Sequence, residues 1–268
     1  MAESGPRRDT AARRATILEL LSATGYLRTS EVAERLAISP MTARRDLKRL
    51  ADEGVAASVR GGIRIASVEE QAPTEYERRL GAETGAKTVI GLIGAGLISA
   101  HDVIALDAGT TAYQVARNLP AEFEGIVVTH SIPVMHLLAE RPSGRVIALG
   151  GELFRPSKAL VGSIPVANLQ HLRVSTLFLG VAGIDSDGVF VAADSEWGVK
   201  QALMDIADRV VLVADHSKLT TRAPVLLCDW SRIDTFVCDR ALKAEFTARL
   251  ATSGVQVLTP AQQTATGA

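Results

Sequence analysis

The stretch TSEVAERLAISPMTARRDLKRL, residues 29–50, constrains the fold more than any other part of this chain. It reads as two short helices joined by a tight turn. Ser39-Pro40 opens the second helix, with the serine hydroxyl as N-cap and the proline at the first helical position, where its missing N–H leaves no bond unmade. A helix that enters a DNA major groove needs an apolar back to dock on its own domain and a polar, cationic front for phosphates and base edges. Here the back is Leu36, Ile38, Ala43, Leu47 and Leu50, and the front carries Thr42, Arg44, Arg45 and Lys48. A solvated helix face would carry similar charges, but the order of cap, turn and following wing weighs against that reading. An amphipathic helix over 10–23 precedes the pair, with Ile17, Leu18 and Leu21 opposite Arg13 and Arg14. Thr29 is expected to cap the next helix. Residues 55–65 contain VRGGIRI, two extended runs about Gly61-Gly62, which read as a β-hairpin wing that brings Arg60 and Arg64 near a phosphate backbone. The candidate DNA contacts are Ser30, Ser39, Met41, Thr42, Arg44, Arg45, Lys48 and Arg60, in a helix-turn-helix over about 27–46.

At 268 residues the chain is long for one domain and comfortable for two. Its near-neutral balance hides a split. Residues 1–65 hold 12 Lys/Arg and 8 Asp/Glu, a net of +4, and the remainder holds 17 and 22, a net of −5. A basic module on an acidic body fits a nucleic-acid reader joined to something else. Residues 1–65 are therefore expected as a winged helix-turn-helix, 66–86 as a polar linker with a short helix near 75–80, 87–260 as an α/β domain, and 261–268 as a polar tail. Cys228 and Cys238 lack the spacing of a metal or redox motif and read as free thiols of a reducing cytoplasm. The first ten residues lack the apolar core of a signal peptide, and no run of about 18 apolar residues occurs. A soluble cytoplasmic protein with no membrane contact is expected.

From Lys87 the pattern changes. A helix over 87–98 leads into strand-like runs at 103–106, 126–128, 146–149, 176–179, 210–214, 236–238 and 256–258, with helical segments between them. Such alternation indicates a doubly wound, mostly parallel α/β sheet. Small polar clusters follow most of these runs: Asp107 to Thr111, Thr129 to Ser131, Gly150 to Glu152 with Gly151 between, Gly180 to Asp185, and Asp215 to Lys218. Ligands bind outside the carboxyl ends of strands in such sheets, so the clusters converge on one edge. In DAGTT, Gly109 permits close approach, while Thr110 and Thr111 offer hydroxyls and N–H groups at a helix start, a setting that suits a phosphate. An ordinary strand-to-helix turn with a Thr cap is the plainer alternative. Asp107 would accept hydrogen bonds from sugar hydroxyls, and Lys218 would bring a mobile positive charge. Glu196 and Lys200, at i,i+4 spacing, read by themselves as a surface ion pair, and Trp197 beside them as packing. His101, His130, His136, His171 and His216 show no metal-ligand spacing, so no metal or other cofactor is expected. His130 and His216 stand open as cavity hydrogen-bond partners or as surface and capping residues.

The segments ILELL, LRTSEVAERLAISPMTARRDL, RGG, LDAGTT, VTHS, LGGELF, LVG, FLGVAGIDSDG and LVADHSKL, in this order over about residues 10–257, resemble the DeoR family of bacterial transcriptional regulators. The resemblance implies a C-terminal domain similar to ribose-5-phosphate isomerase that acts as a sensor rather than a catalyst. It implies a homodimeric or homotetrameric repressor of a carbohydrate or polyol operon, released from double-stranded operator DNA by a phosphorylated sugar or polyol, glycerol 3-phosphate among the candidates. Ser39, Thr42, Arg44, Arg45 and Asp46 fall on the family's recognition helix, and Asp107, Gly109, Thr110 and Thr111 on its phosphate loop. Asp185, Glu196, Lys200, Asp215 and Lys218 fall on the remaining effector positions, beside Thr129, Ser131, Gly151 and Glu152 of the strand-end clusters. Two departures stand out: Ala43 replaces a β-branched residue, which would loosen docking of the recognition helix, and Arg155 with Lys158 would select a more anionic effector. The rival from another class is a sugar-phosphate isomerase with a DNA-binding appendage, using Glu196 or Asp185 as its base.

Overall fold

Apolar residues at helical spacing draw three short helices of the N-terminal part around one small core. They are α1 (Pro6–Thr24), α2 (Thr29–Arg35) and α3 (Pro40–Asp52), and Ile17, Leu21, Val32, Ala43, Leu47 and Leu50 meet between them. In the computed structural model, which describes residues 6–53, 55–59, 61–65 and 74–263, the chain divides into two units, Met1–Pro73 and Thr74–Ala268. The first unit also holds β1 (Tyr26–Arg28), β2 (Ala56–Val59) and β3 (Gly62–Ile65), in the antiparallel order β1-β3-β2. The hairpin wing is thus as expected, and β1 is an addition that a three-residue run could not announce. The wing's glycine has a steric cause: a Cβ on Gly62 would stand 2.0 Å from the Leu27 carbonyl oxygen. Ser39 caps α3 as expected, its hydroxyl accepting the Thr42 N–H at 3.1 Å. The cap of α2 is corrected from Thr29 to Arg28, whose N–H donates to the Glu31 carboxylate at 3.0 Å. Ala43 is fully buried in this core. Arg60 lies outside the described residues.

The second unit begins at Thr74, so residues 74–86, grouped with the linker from sequence, carry α4 (Glu75–Gly81) and the start of α5 (Thr84–Ala95). After these come β4 (Val103–Leu106), α6 (Thr110–Arg117), β5 (Ile126–Thr129), α7 (Ile132–Ala139) and β6 (Arg145–Ala148). Next are β7 (Glu152–Phe154), β8 (Ala159–Val161), α8 (Ser163–Leu169), β9 (Val174–Leu179), β10 (Gly183–Ile184), β11 (Val189–Val191) and α9 (Asp194–Asp205). The unit closes with β12 (Ala207–Val213), β13 (Val225–Cys228), β14 (Thr235–Val237), α10 (Ala244–Thr252), β15 (Gln256–Leu258) and α11 (Pro260–Gln263), the last reaching into the stretch expected as a polar tail. Seven strands form a sheet in the order β15-β14-β12-β9-β4-β5-β6, parallel throughout. Successive residues of a strand point to opposite faces, and the cores follow that rule. Ile104, Leu106, Phe178, Val211 and Val213 pack with α5, α6 and α7, while Ala105, Leu177, Leu179, Val210 and Leu212 pack with α8, α9 and α10. The antiparallel pieces, a β7–β8 hairpin and a small β10-β11-β13 sheet, lie in segments too short and irregular to be read from periodicity.

Candidate functional site

On α3 the basic residues face away from the core. Met41 is 83% exposed, and Arg44, Arg45, Lys48 and Arg49 are exposed beside it, with Ser30 exposed on α2. Ser39 and Thr42 spend their hydroxyls on each other, 2.9 Å apart, which leaves them as a cap more than as open contacts. Asp46 is not on the open face. It accepts from Arg13 Nε of α1 at 3.2 Å and so sets the height of α3 on its neighbour. Lys48 pairs at 3.3 Å with Asp52, but both side chains are exposed, so a phosphate can replace that weak partner.

In the second unit the chain runs β4, β5, β6 toward one edge of the sheet and then returns to lay β9 on the other side of β4. The carboxyl ends of β4 and β9 therefore bound the crevice where connections leave in opposite directions, the general ligand position of such sheets. There Gly109 and Gly180 nearly touch, a Cβ on Gly109 standing 3.4 Å from the Gly180 Cα. A cavity of about 240 Å³ opens at this point. Gly109, Thr110, Thr111 and Lys218 line it, as expected from sequence, and the N-cap of α6 is Gly109, which has no side chain to bond the first N–H groups of the helix, a setting that suits an anion. The charged lining residues missed from sequence are Glu75 and Arg79 of α4, and Arg222; Thr221 was missed as well. The first two lie in the stretch grouped with the linker, on the short helix expected near 75–80, which the Thr74-x-x-Glu77 capping box starts. Arg79 donates through Nη2 to the Pro156 carbonyl at 2.6 Å, while its buried Nε has no partner among the described residues. Lys87 of α5, almost fully buried, holds α4 in place by donating to the carbonyls of Arg79 and of Ala82, the latter at 2.6 Å. Burial pushes its pKa down, opposed by the nearby Asp215 carboxylate.

Asp107 proves to be a strut rather than a sugar contact. It is fully buried; Oδ1 lies 3.0 Å from His130 Nε2, and Oδ2 accepts from the Gly180 N–H at 2.9 Å and from the Lys200 ammonium. Lys200 also donates to the Gly180 carbonyl at 2.9 Å. The expected surface pair of Lys200 with Glu196 is therefore corrected: both residues are buried on α9, and Lys200 serves Asp107. Burial raises the Asp107 pKa, but Lys200 and the His130 hydrogen bond lower it by more, so the carboxyl stays well below the usual range. His130, whose Nδ1 faces the Leu160 carbonyl at 3.0 Å, belongs to this strut.

Other strand-end residues are occupied in the same way. The Thr129 hydroxyl donates to the Leu106 carbonyl at 2.6 Å, and Ser131 caps α7. Asp215 is buried and accepts from the Ser217 N–H at 3.0 Å. Glu152 is exposed on β7, and neither it, Gly151 nor Glu196 lines the cavity. Asp185 lines a second cavity of about 430 Å³, which shares Thr221, Arg222 and Ala223 with the first. Lys158 does not reach the cavity either. It pairs with Glu77 at 3.1 Å and lies over the Tyr76 ring, 5.4 Å from its centroid; Arg155 is exposed. Trp197, 44% exposed, donates to the Leu226 carbonyl at 3.2 Å. Cys228 and Cys238 are buried free thiols, pushed by burial to about 12 and about 11. Among the described residues no group of three or more His, Cys, Asp or Glu could hold a metal, and no helix is long and apolar enough to cross a membrane.

A winged helix-turn-helix and a separate α/β unit with a cation-lined crevice together define the class of two-part transcription regulators. Residues 13–69 match the DeoR-like helix-turn-helix domain and residues 82–240 the DeoR C terminal sensor domain. The chain belongs to the DeoR family of transcriptional regulators. It is 30% identical over 246 residues to the HTH-type transcriptional repressor GlcR of Bacillus subtilis (strain 168), covering 92% of this chain and 95% of that protein. It is 31% identical over 224 residues to the glycerol-3-phosphate regulon repressor of Escherichia coli (strain K12), covering 83% and 88%. Among solved structures, ribose 5 phosphate isomerase A from Neisseria gonorrhoeae shares 14% identity over 56% of each chain with a TM-score of 0.37, a likeness too slight to carry an inference.

Proposed function

We propose that this chain is a non-catalytic, ligand-controlled repressor of a carbohydrate or polyol operon that acts as a homodimer or homotetramer. The observation that carries the reading is the convergence of Arg79, Lys218 and Arg222 with the Thr110 and Thr111 hydroxyls at an uncapped helix start, in one crevice of about 240 Å³. Cations, hydroxyl donors and a positive helix end suit a phosphoryl group, and Glu75 beside them suits the hydroxyls of a sugar or polyol. The names of the two relatives above support repression. On DNA, Arg44 or Arg45 reads a base edge, while the other, with Lys48 and Arg60, holds phosphates. Two copies are needed because a single recognition helix buries too little surface for a specific site. Release by the effector requires only that it favour the DNA-incompetent arrangement; a tenfold loss of operator affinity corresponds to about 1.4 kcal/mol.

The test is fluorescence anisotropy on fragments upstream of this gene and its neighbours, repeated with glycerol 3-phosphate, ribose 5-phosphate, glucose 6-phosphate and inorganic phosphate. The expected result is salt-dependent binding to at least one fragment, weakened by at least one of the organic phosphates. A protein that ignores every fragment at low ionic strength, with and without these compounds, overturns the reading. Incubation with ribose 5-phosphate separates it from an isomerase, since the repressor yields no ribulose 5-phosphate.

A further inference from the structure

Lys218 reaches the crevice from a single 3-10 turn, His216–Leu219, that follows β12. The turn is closed by its own bonds. Asp215 Oδ1 accepts from the Ser217 N–H and hydroxyl, the Lys218 N–H donates to the Asp215 carbonyl at 3.0 Å, and the Thr221 hydroxyl donates to the Ser217 carbonyl at 2.9 Å. Bonds of this kind shape a turn but do not say where it stands against the sheet. The tie to the sheet comes from Asp239, two residues past β14, the strand that lies beside β12. Its side chain is 6% exposed. Oδ1 accepts from the His216 backbone N–H at 2.8 Å, and Oδ2 lies 3.0 Å from His216 Nδ1. Arg240 Nε lies 3.0 Å from Oδ2, and the Cys238 thiol donates to Oδ1 at 3.6 Å. Burying a carboxylate costs free energy unless each oxygen is bonded, and each oxygen of Asp239 has one of its bonds to His216. Here that device sits at the root of the turn that carries a cation of the crevice.

We infer that Asp239 is a positioning residue for the effector: through His216 it holds Lys218 and Thr221 where they face the crevice, without itself touching the ligand. This rests on the crevice being the effector site. Asp239 is absent from the cavity wall, while Lys218 and Thr221 both belong to it, and Thr221 also lines the adjoining 430 Å³ cavity. Loss of Asp239 would free the root of the turn while its internal bonds persist, so the cation would remain but wander.

The test uses the full chain and isothermal titration at 25 °C with glycerol 3-phosphate, ribose 5-phosphate and glucose 6-phosphate, beside thermal unfolding followed by tryptophan fluorescence. Asp239→Ala removes both bonds to His216 and is expected to weaken binding roughly tenfold in protein that is still folded at the assay temperature. Asp239→Asn, whose amide oxygen still accepts from the His216 N–H, should return to within about threefold of wild type. His216→Ala, which removes the ring contact and leaves the acid in place, should lose roughly threefold and keeps the test open if Asp239→Ala fails to fold. Arg240→Ala, which does not touch the turn, should bind as wild type does. A merely structural role would lower Tm and leave affinity alone. Folded Asp239→Ala that binds within twofold of wild type overturns the inference, as does Asp239→Asn binding as weakly as Asp239→Ala. Wild-type protein that binds none of the three phosphates overturns the effector reading, and this inference with it.

Discussion

Replacing Lys200 by Met should cost the second unit more than the loss of any exposed charge. Asp107 is fully buried and the Lys200 side chain is 5% exposed, so the substitution leaves a desolvated carboxylate with only His130 and the Gly180 N–H. Breaking a buried pair from one side costs about 3–5 kcal/mol, a large share of the roughly 5–15 kcal/mol that holds a domain together. The sign of the pH dependence follows from the same contacts. In the wild type the folded pKa of Asp107 is depressed, because burial, the largest single influence, is outweighed by Lys200 and His130 together. Its contribution to stability is therefore present above the unfolded pKa of about 3.9 and is lost as pH falls through the folded value. In Lys200→Met burial is opposed only by His130 and the Gly180 N–H and the folded pKa rises, so the variant gains stability as pH is lowered from about 7 toward 5, and the gap to wild type narrows. Adding Asp107→Asn to Lys200→Met removes the stranded charge while an amide oxygen still accepts from Gly180, and should restore about 2 kcal/mol or more. Both tryptophans, Trp197 and Trp230, lie in the second unit, so urea unfolding followed by their fluorescence reads this unit alone. A cost below about 1 kcal/mol, a gap that does not narrow on acidification, or a double variant no more stable than Lys200→Met would refute the reasoning.

Arg44→Ala or Arg45→Ala, whichever removes the base contact, should cost about 1–3 kcal/mol on the operator and relax one base position, whereas Lys48→Ala should weaken all sequences alike and reduce the salt slope by about one; binding measured across salt and single-base operator variants separates the two. Gly62→Ala would drive a Cβ to 2.0 Å from the Leu27 carbonyl, so operator binding should be lost while the tryptophan-monitored melt of the other unit stays unchanged. Thr110→Val with Lys218→Ala should abolish the thermal stabilisation by organic phosphates, which in the wild type reaches about 2.7 kcal/mol at a hundredfold excess over Kd. Arg79→Ala should weaken the same ligands with little change in the apo melt, since among the described residues its guanidinium makes one bond, to the Pro156 carbonyl.

Much of the fold was legible because its signals are local. Ser39-Pro40 followed by apolar residues at helical spacing can hardly be anything but a capped helix start, and the Val- and Ile-rich runs separated by helices mark a parallel sheet with both faces covered. The glycine and threonines after β4 were also legible, since they act through their own backbone and hydroxyls. The wall from α4 was not, because Glu75 and Arg79 sit in a polar stretch with no periodicity, brought to the crevice by the burial of Lys87 and by contacts with the β7–β8 hairpin.

The order of elements, the two-part organisation and the basic face of α3 follow from neighbours a few residues apart, and the chain alone determines them. The division of the strand-end residues into those that line the crevice and those that hold the sheet was decided only by the tertiary structure. Asp107 finds Gly180 and Lys200 at separations of 73 and 93 residues. An acid next to a phosphate loop looks like a ligand contact until those partners consume its oxygens, and no local pattern records which distant side chain will arrive.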